Sequence, residues 1–308
     1  MDQVYMAKLN VSAYIDYIAT KESYMSIDPK IVLVKKASGH TEAFDSKKLM
    51  KSLRNAGAEP EAITEVVTEI EDWVSDGVTT SQIYTRAFKL YRQISSSGAL
   101  LYKLKQAILE MGPSGFPFEH FVGEIFKRRA YDVKVGQIIE GASVSHEVDI
   151  IARKDRELIL GECKYSHKQG FSVSVQVPLY VHSRVNDIVD KLKKEPQYKG
   201  FTFVPWLFTN GRFTPDSTQY SHCKGIKLMG WDYPVGQSLK DQIERERIFP
   251  ITILSNLNKS QKSALLSEGV VTCSQLMDQP AWLERLGLDK ARKAVLKELE
   301  SLADVSKL

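Results

Sequence analysis

The 308-residue chain holds few cysteines. The three it has, Cys163, Cys223 and Cys273, lie far apart with no CxxC pair, which excludes a disulfide framework and a zinc site of ordinary spacing. No apolar run approaches the ~20 residues a membrane span needs, and the opening MDQVYMAKLN lacks a secretory apolar core. A cytoplasmic protein is expected. The phosphate-cradling sequence Gly-x-x-x-x-Gly-Lys-Ser/Thr is absent, which argues against ATP hydrolysis and leaves any nucleotide the part of an effector. Charge of either sign is not in large excess: the net value of +4 permits nucleic acid as a partner without requiring it. Hydrophobic and aromatic content are ordinary, so a folded chain of two or three domains is expected.

What the chain does have is HEVDIIARKDRELILGECKY, His146 to Tyr165. Two apolar runs, rich in β-branched residues, flank a charged turn at Arg153 to Arg156 and predict a hairpin of buried strands. Set into them are Asp149, Glu162 and Lys164, residue types seldom buried unless paired or bound to a metal. Glu162 and Lys164 are two apart and share a strand face, with Cys163 on the other. Asp149 precedes Glu162 by 162 − 149 = 13 residues, the separation of facing positions in such a hairpin. Two carboxylates and the Cys163 backbone carbonyl make a half-shell for Mg²⁺ (or Mn²⁺), which keeps several waters. Such a metal acidifies a bound water and offsets charge on a scissile phosphate, while Lys164 orients that water and stabilises developing charge. The bland alternative is a surface hairpin carrying a salt bridge. Spelled Asp149…Glu162-x-Lys164, the trio is the PD-(D/E)XK nuclease pattern.

Further motifs follow in order: GPSGFPFE (Gly112 to Glu119), HEVD, ECKY, LYVHSRVND (Leu179 to Asp187), FTN (Phe208 to Asn210), GWDYP (Gly230 to Pro234) and PIT (Pro250 to Thr252). Together they resemble the bacterial Mrr-like restriction endonuclease family, in its subgroup with an N-terminal ATP-cone domain, from about residue 30 to about residue 255. The resemblance implies that Asp149, Glu162 and Lys164 form the metal and catalytic site. It implies that Glu119, the helix-borne acid, completes that site, and that Gln176 is the catalytic-site glutamine at the start of the following helix.

Residues 1–29 form an extension before the break at Asp28-Pro29. From Ile31 a short strand, the turn ASGH and a helix capped by Asp45 or Ser46 are expected. Further helices follow at Pro60 to Val74, from Thr79–Ser81 to Tyr91, and at Ala99 to Met111. Lys35, Lys36, Lys47, Lys48 and Lys51 can gather triphosphate charge, touch DNA phosphates, or form a solvated face. Gly39 permits close backbone approach to a ligand. The segment resembles an ATP-cone, matched at Val34, Lys36, Gly39, Glu42, Phe44, Asp45 and Lys48. It departs at Ala37 and Ser38, where the family has Arg and Asp. The implied effector is ATP or dATP.

Phe118, Phe121, Val122 and Phe126 recur at helical spacing after the Gly-Pro linker and predict a core-facing helix carrying Glu119. His146 reads as a hydrogen-bonding residue rather than a ligand, and Glu147 as an outlying acid on the Asp149 face. In VPLYVHSRVNDIVDKLKK, Arg184 and Lys191, Lys193 and Lys194 read as a basic face, solvated or laid along a DNA backbone. Asn210 to Pro215 reads as a turn. From Pro250 a string of short helices loosely resembles a helix-hairpin-helix or a protein-interaction cap.

The expected fold is α/β: a PD-(D/E)XK core of mixed sheet flanked by helices, with a mostly helical ATP-cone-like domain before it and a small helical module after it. The boundaries are 1–29, 30–111, 112–248 and 249–308. The expected function is a Mg²⁺-dependent endonuclease acting on double-stranded DNA, controlled by ATP or dATP. Restriction or anti-phage defence is its expected role, and a homo-oligomer, dimer or higher, its expected state. The alternatives are a non-cleaving nucleic-acid-binding regulator and an RNA nuclease on the same scaffold.

Overall fold

The computed structural model describes residues 31–36, 39–55, 58–95, 98–99, 102–168 and 170–304. The extension 1–29, Ala37 and Ser38 lie outside them. The chain divides into two compact units, Met1–Ile94 and Ser95–Leu308.

In the first unit, β1 (Leu33–Lys35) pairs antiparallel with β2 (Thr41–Ala43). Gly39 has φ +85°, a left-handed turn conformation that a side chain would strain. Asp45 then caps α1 (Ser46–Asn55), its carboxylate accepting from the Lys47 amide at 3.0 Å. Helix α2 (Pro60–Trp73) starts with proline, whose missing N–H costs nothing in a first turn, and buries Ile63, Val66, Val67 and Ile70. Helix α3 (Thr80–Ile94) opens with a reciprocal cap: Thr79 Oγ1 accepts from the Gln82 amide at 3.1 Å, and Gln82 Oε1 from the Thr79 amide at 2.8 Å. Its core side is Ile83, Ala87 and Tyr91; Leu90, expected there, is half-buried.

The second unit opens with helical residues at 98–99 and 102, then α4 (Leu104–Leu109), so the helix expected from Ala99 to Met111 is interrupted by a turn at Lys103; α5 (Phe116–Arg128) follows. A mixed sheet follows from β3 (Asp132–Glu140), β4 (Ser145–Lys154), β5 (Glu157–Lys164), β7 (Thr202–Thr209) and β9 (Lys227–Met229), in the order β3-β4-β5-β7-β9. The first three strands run antiparallel; β5, β7 and β9 run parallel. The β4–β5 hairpin turns through Asp155, at φ +50°, and its register puts Ile150 opposite Gly161. A side chain at Gly161 would press within 2.7 Å of the Phe208 ring, so this position is held bare by packing.

Alternation along β5 sends Ile159 and Cys163 to a core with α5, and Leu158 and Leu160 to one with α6 (Gln176–Leu192). The stretch expected as a turn after Asn210 contains β8 (Arg212–Phe213), which pairs with β6 (Ser172–Val173). The pairing joins two segments 40 residues apart, a contact that local turn chemistry does not reveal. Then come α7 (Pro215–Cys223) and α8 (Leu239–Glu246), and finally α9 (Lys259–Ser267), α10 (Cys273–Asp278), α11 (Ala281–Arg285) and α12 (Asp289–Asp304).

These last helices do not form a core of their own. Leu265, Leu276, Val295 and Leu299 belong to the same buried cluster as α4 and α5. Polar ties reinforce it: the Thr252 hydroxyl donates to the Ala107 carbonyl at 2.6 Å, and the buried Lys262 donates to the Thr252 carbonyl at 2.7 Å. Among the described residues no helix is long and apolar enough to cross a membrane.

Candidate active site

The β4–β5 ladder ends at Ile150 and Gly161, and the candidate residues stand just past that point. Asp149 bridges the parting strands with its side chain, Oδ2 accepting from the Cys163 amide at 2.7 Å. Within a strand, a residue's carbonyl points to the same side as its amide. The Cys163 carbonyl therefore faces Asp149 beyond the last paired residue of β4. Burial pushes the Cys163 thiol well above its usual range, so this residue offers its backbone rather than a thiolate.

Glu162 is buried, with 5% of its side chain exposed, and sits between two cations. Lys164 Nζ reaches its Oε1 at 2.5 Å, and the Arg184 guanidinium holds its Oε2. Burial works to lower the Lys164 pKa, but the Glu162 hydrogen bond and the charges of Glu162 and Asp149 outweigh it and raise it. Lys164 is thus a cation at neutral pH.

The acids respond in the opposite sense to ordinary surface carboxylates. Burial, then repulsion from Glu162, lifts Asp149 to about 6. Burial, then the charges of Asp149, Glu147 and Glu162, lifts Glu119 on α5 to about 7. Asp149 and Glu119 are thus both held above the ordinary carboxylate range by burial and by neighbouring acids, beside the two cations Lys164 and Arg184.

A divalent cation fits among these acids. Its donors would be Asp149, Glu162 and the Cys163 carbonyl. Among the described residues no three His, Cys, Asp or Glu side chains stand together as a metal cluster.

The strand end behind the trio is clamped. Thr209 donates to the Lys164 carbonyl at 2.6 Å. Asn210 accepts from the Ser166 amide at 2.9 Å and donates to the Ser166 carbonyl at 2.7 Å. On the α5 side the Tyr165 hydroxyl accepts from the Gly112 amide and donates to the Leu109 carbonyl, both at 2.7 Å. The FTN and GPSG motifs thus hold the end of β5.

A family model described as AF1548-like, C-terminal, matches residues 249–303. Over 177 residues the chain is 29% identical to an uncharacterized protein of Archaeoglobus fulgidus, covering 56% of this chain and 95% of the relative. It is similar to the crystal structure of a protein of unknown function, AF1548, with a TM-score of 0.52 and 27% identity over 62% of this chain and 100% of that one. Similarity to the MspJI restriction endonuclease in complex with a 27-mer oligonucleotide has a TM-score of 0.32 and 16% identity, over 68% of this chain and 44% of that one. The likeness is to AF1548.

In the Ser95–Leu308 unit the structure brings Asp149, Glu162, Lys164 and Glu119 into one electrostatic cluster. Gln176 is exposed at the first position of α6. His146 bonds Asp187 at 2.7 Å, as expected of a hydrogen-bonding residue, and Glu147 is exposed while adding its charge to Glu119. In the first unit Lys36 and Lys48 lie 2.7 and 3.4 Å from Glu42, and Lys35 and Gly39 are exposed.

Arg184 is the residue that sequence reasoning misplaced. It reads as part of a basic outer face, yet its side chain is 12% exposed and turned onto Glu162. The signal that could have found it is its position eight residues into α6, on the row that carries Tyr180 and Asp187.

Proposed function

We propose that the Ser95–Leu308 unit is a Mg²⁺- or Mn²⁺-dependent endonuclease that hydrolyses phosphodiester bonds in double-stranded DNA. The observation that carries this reading is the half-buried Asp149 and buried Glu162, with Lys164, set where β4 and β5 part. Asp149, Glu162 and the Cys163 carbonyl hold the metal, which supplies a more acidic water and neutralises phosphate charge when bound. Lys164, protonated, aligns the attacking water and stabilises charge developing on the phosphoryl oxygens. Glu119, poised near neutrality at about 7, can give or take a proton at its carboxyl oxygens. Gln176, at the mouth of α6, is assigned to substrate positioning.

The Mrr-like resemblance supports a role in restriction or anti-phage defence. One such centre cuts one strand, so a double-strand break needs a dimer or higher oligomer. The Lys35, Lys36, Gly39 and Lys48 region of the ATP-cone-like segment is assigned to ATP or dATP as effector.

The test is incubation of plasmid DNA with the full chain and Mg²⁺, with and without ATP or dATP, beside Asp149→Asn and Lys164→Ala. Cleavage by the natural chain that falls at least about a hundredfold in both variants is expected. Undiminished cutting by either overturns the site. A nucleotide-dependent rate assigns the effector.

A second reading is favoured by one observation: both Glu162 oxygens are already taken by cations. Held permanently, that arrangement makes the unit a non-cleaving nucleic-acid-binding regulator. Tight DNA binding without metal and without product marks that outcome.

A further inference from the structure

Arg184 is placed oddly for a residue that only supports its neighbour. One guanidinium nitrogen holds Glu162, another donates to the Tyr180 hydroxyl at 2.5 Å, and the guanidinium carbon lies 4.4 Å from the centre of the Tyr180 ring. The remaining nitrogen, Nε, is buried and has no hydrogen-bond partner among the described residues. An unmade hydrogen bond at a buried guanidinium is costly, so this pose is satisfied at Glu162 and Tyr180 and unsatisfied at Nε. Tyr180 itself is exposed, so Arg184 spans from a buried carboxylate to the open surface.

Lys164 and Arg184 each hold one Glu162 oxygen, so a metal binding this carboxylate would have to compete with a cation already on it. A divalent ion arriving on Asp149 and Glu162 brings two positive charges next to a guanidinium, and the two compete for the same carboxylate. The stem of Arg184 is fixed on α6, and Asp187, one turn further on, secures that helix. Asp187 Oδ1 accepts from the Ser143 amide at 2.9 Å, and its Oδ2 binds His146 at 2.7 Å. With the helix anchored, a displaced guanidinium can swing only about its own side-chain bonds, towards the Tyr180 side. A planar fork released there meets phosphate oxygens in the geometry it binds best.

We propose that Arg184 is a two-position residue. In the metal-free protein it is the counter-ion that closes Glu162; once the metal displaces it, it becomes the clamp on the scissile phosphate. Metal binding and substrate clamping are thereby linked through one side chain. The inference rests on the nuclease reading above and extends it to a residue which that reading does not use.

The experiment measures Mn²⁺ binding to the full chain by electron paramagnetic resonance, without DNA, for the natural protein, Arg184→Met and Arg184→Lys. Thermal melts run in parallel to verify folding. Removing the competitor is expected to tighten Mn²⁺ binding about tenfold in Arg184→Met, the scale of one charge-assisted hydrogen bond. Arg184→Lys, which keeps a charge but cannot fork, falls between. In cleavage assays the same variants raise KM for DNA more than they lower kcat. Equal or weaker Mn²⁺ binding by a folded Arg184→Met makes Arg184 a plain support for Glu162 and overturns the proposal; if that variant does not fold, Arg184→Lys decides on the same criterion. Normal metal binding and cleavage by the natural chain, with unaltered affinity in the variants, removes the two-position residue alone. No Mn²⁺ binding by any of the proteins removes the nuclease reading together with it.

Discussion

The molecule contains the same ionic arrangement twice, in two settings. Glu42 lies between Lys36 and Lys48 in the first unit; Glu162 lies between Lys164 and Arg184 in the second. The lysines of the Glu42 pairs are 44% and 64% exposed, and the Lys36 hydrogen bond, partly opposed by burial and aided by Lys48, draws the Glu42 pKa down. At the end of the sheet Glu162 and Arg184 are 5% and 12% exposed, so separating them leaves both charges with little water, while Lys164 reaches Glu162 from a position 38% exposed. A glutamate between two cations is a movable surface feature in one place and a committed one, with arginine as its buried partner, in the other. Exposure, not residue type, decides which glutamate is tied to structure.

The comparison breaks hardest at Glu162→Gln. The amide can satisfy one cation with its oxygen but presents N–H to the other, leaving a largely buried charge unpaired. Metal-free stability should drop by about 3 kcal/mol, read as a shift of the denaturant midpoint.

A smaller effect is expected from pH. Asp149 keeps its proton up to about 6 and Glu119 up to about 7, above the range of an unfolded carboxylate, so unfolding releases protons. The stabilising contribution is complete below about pH 4 and is lost as pH rises through 6 and 7. The full shifts would amount to about 4 kcal/mol between pH 5 and 8. Discounted by about half for solvent screening of these half-buried groups, the loss in metal-free protein should be on the order of 2 kcal/mol. Asp149→Asn, whose amide oxygen can still accept from Cys163, should flatten that slope in urea titrations. A slope unchanged in this variant would remove Asp149 as its source.

The smallest effect sharpens the contrast from the other side. Glu42→Gln should leave the melting temperature where it was, in low or high salt, because exposed pairs contribute little and are screened. A clear loss of stability in that variant would mean the two arrangements are not as different as their exposures imply.

Much of the second unit's hairpin is legible in the chain itself. Apolar runs interrupted only by Asp149, Glu162 and Lys164 specify strands, and period-two alternation puts the last two on one face. The helix at Pro60–Trp73 is equally plain, since proline, an acidic first turn and a regular apolar stripe all agree. Arg184 is not legible in the same way. A charged residue on an amphipathic helix reads as solvent-facing, and its partner lies 22 residues away on a different element. The reach of the C-terminal helices into the α4–α5 core is hidden for the same reason: helical periodicity reports that a stripe is buried, not against what. Gln176 shows the limit from the other side. Its place at the start of α6 follows from the sequence, but whether it meets a ligand depends on groups that the chain does not supply.

The bond from Asp149 to the Cys163 amide also acts as a spacer. Strand β4 stays paired with β3 as far as Ser145 while leaving β5 after Ile150, so the sheet forks at this point. A side chain stands in for the missing rung, and its reach fixes how wide the fork opens. Aspartate spans that gap with one methylene; glutamate would need to fold back or push the strands apart. The aperture of the cleft is thus measured out by the length of a single residue.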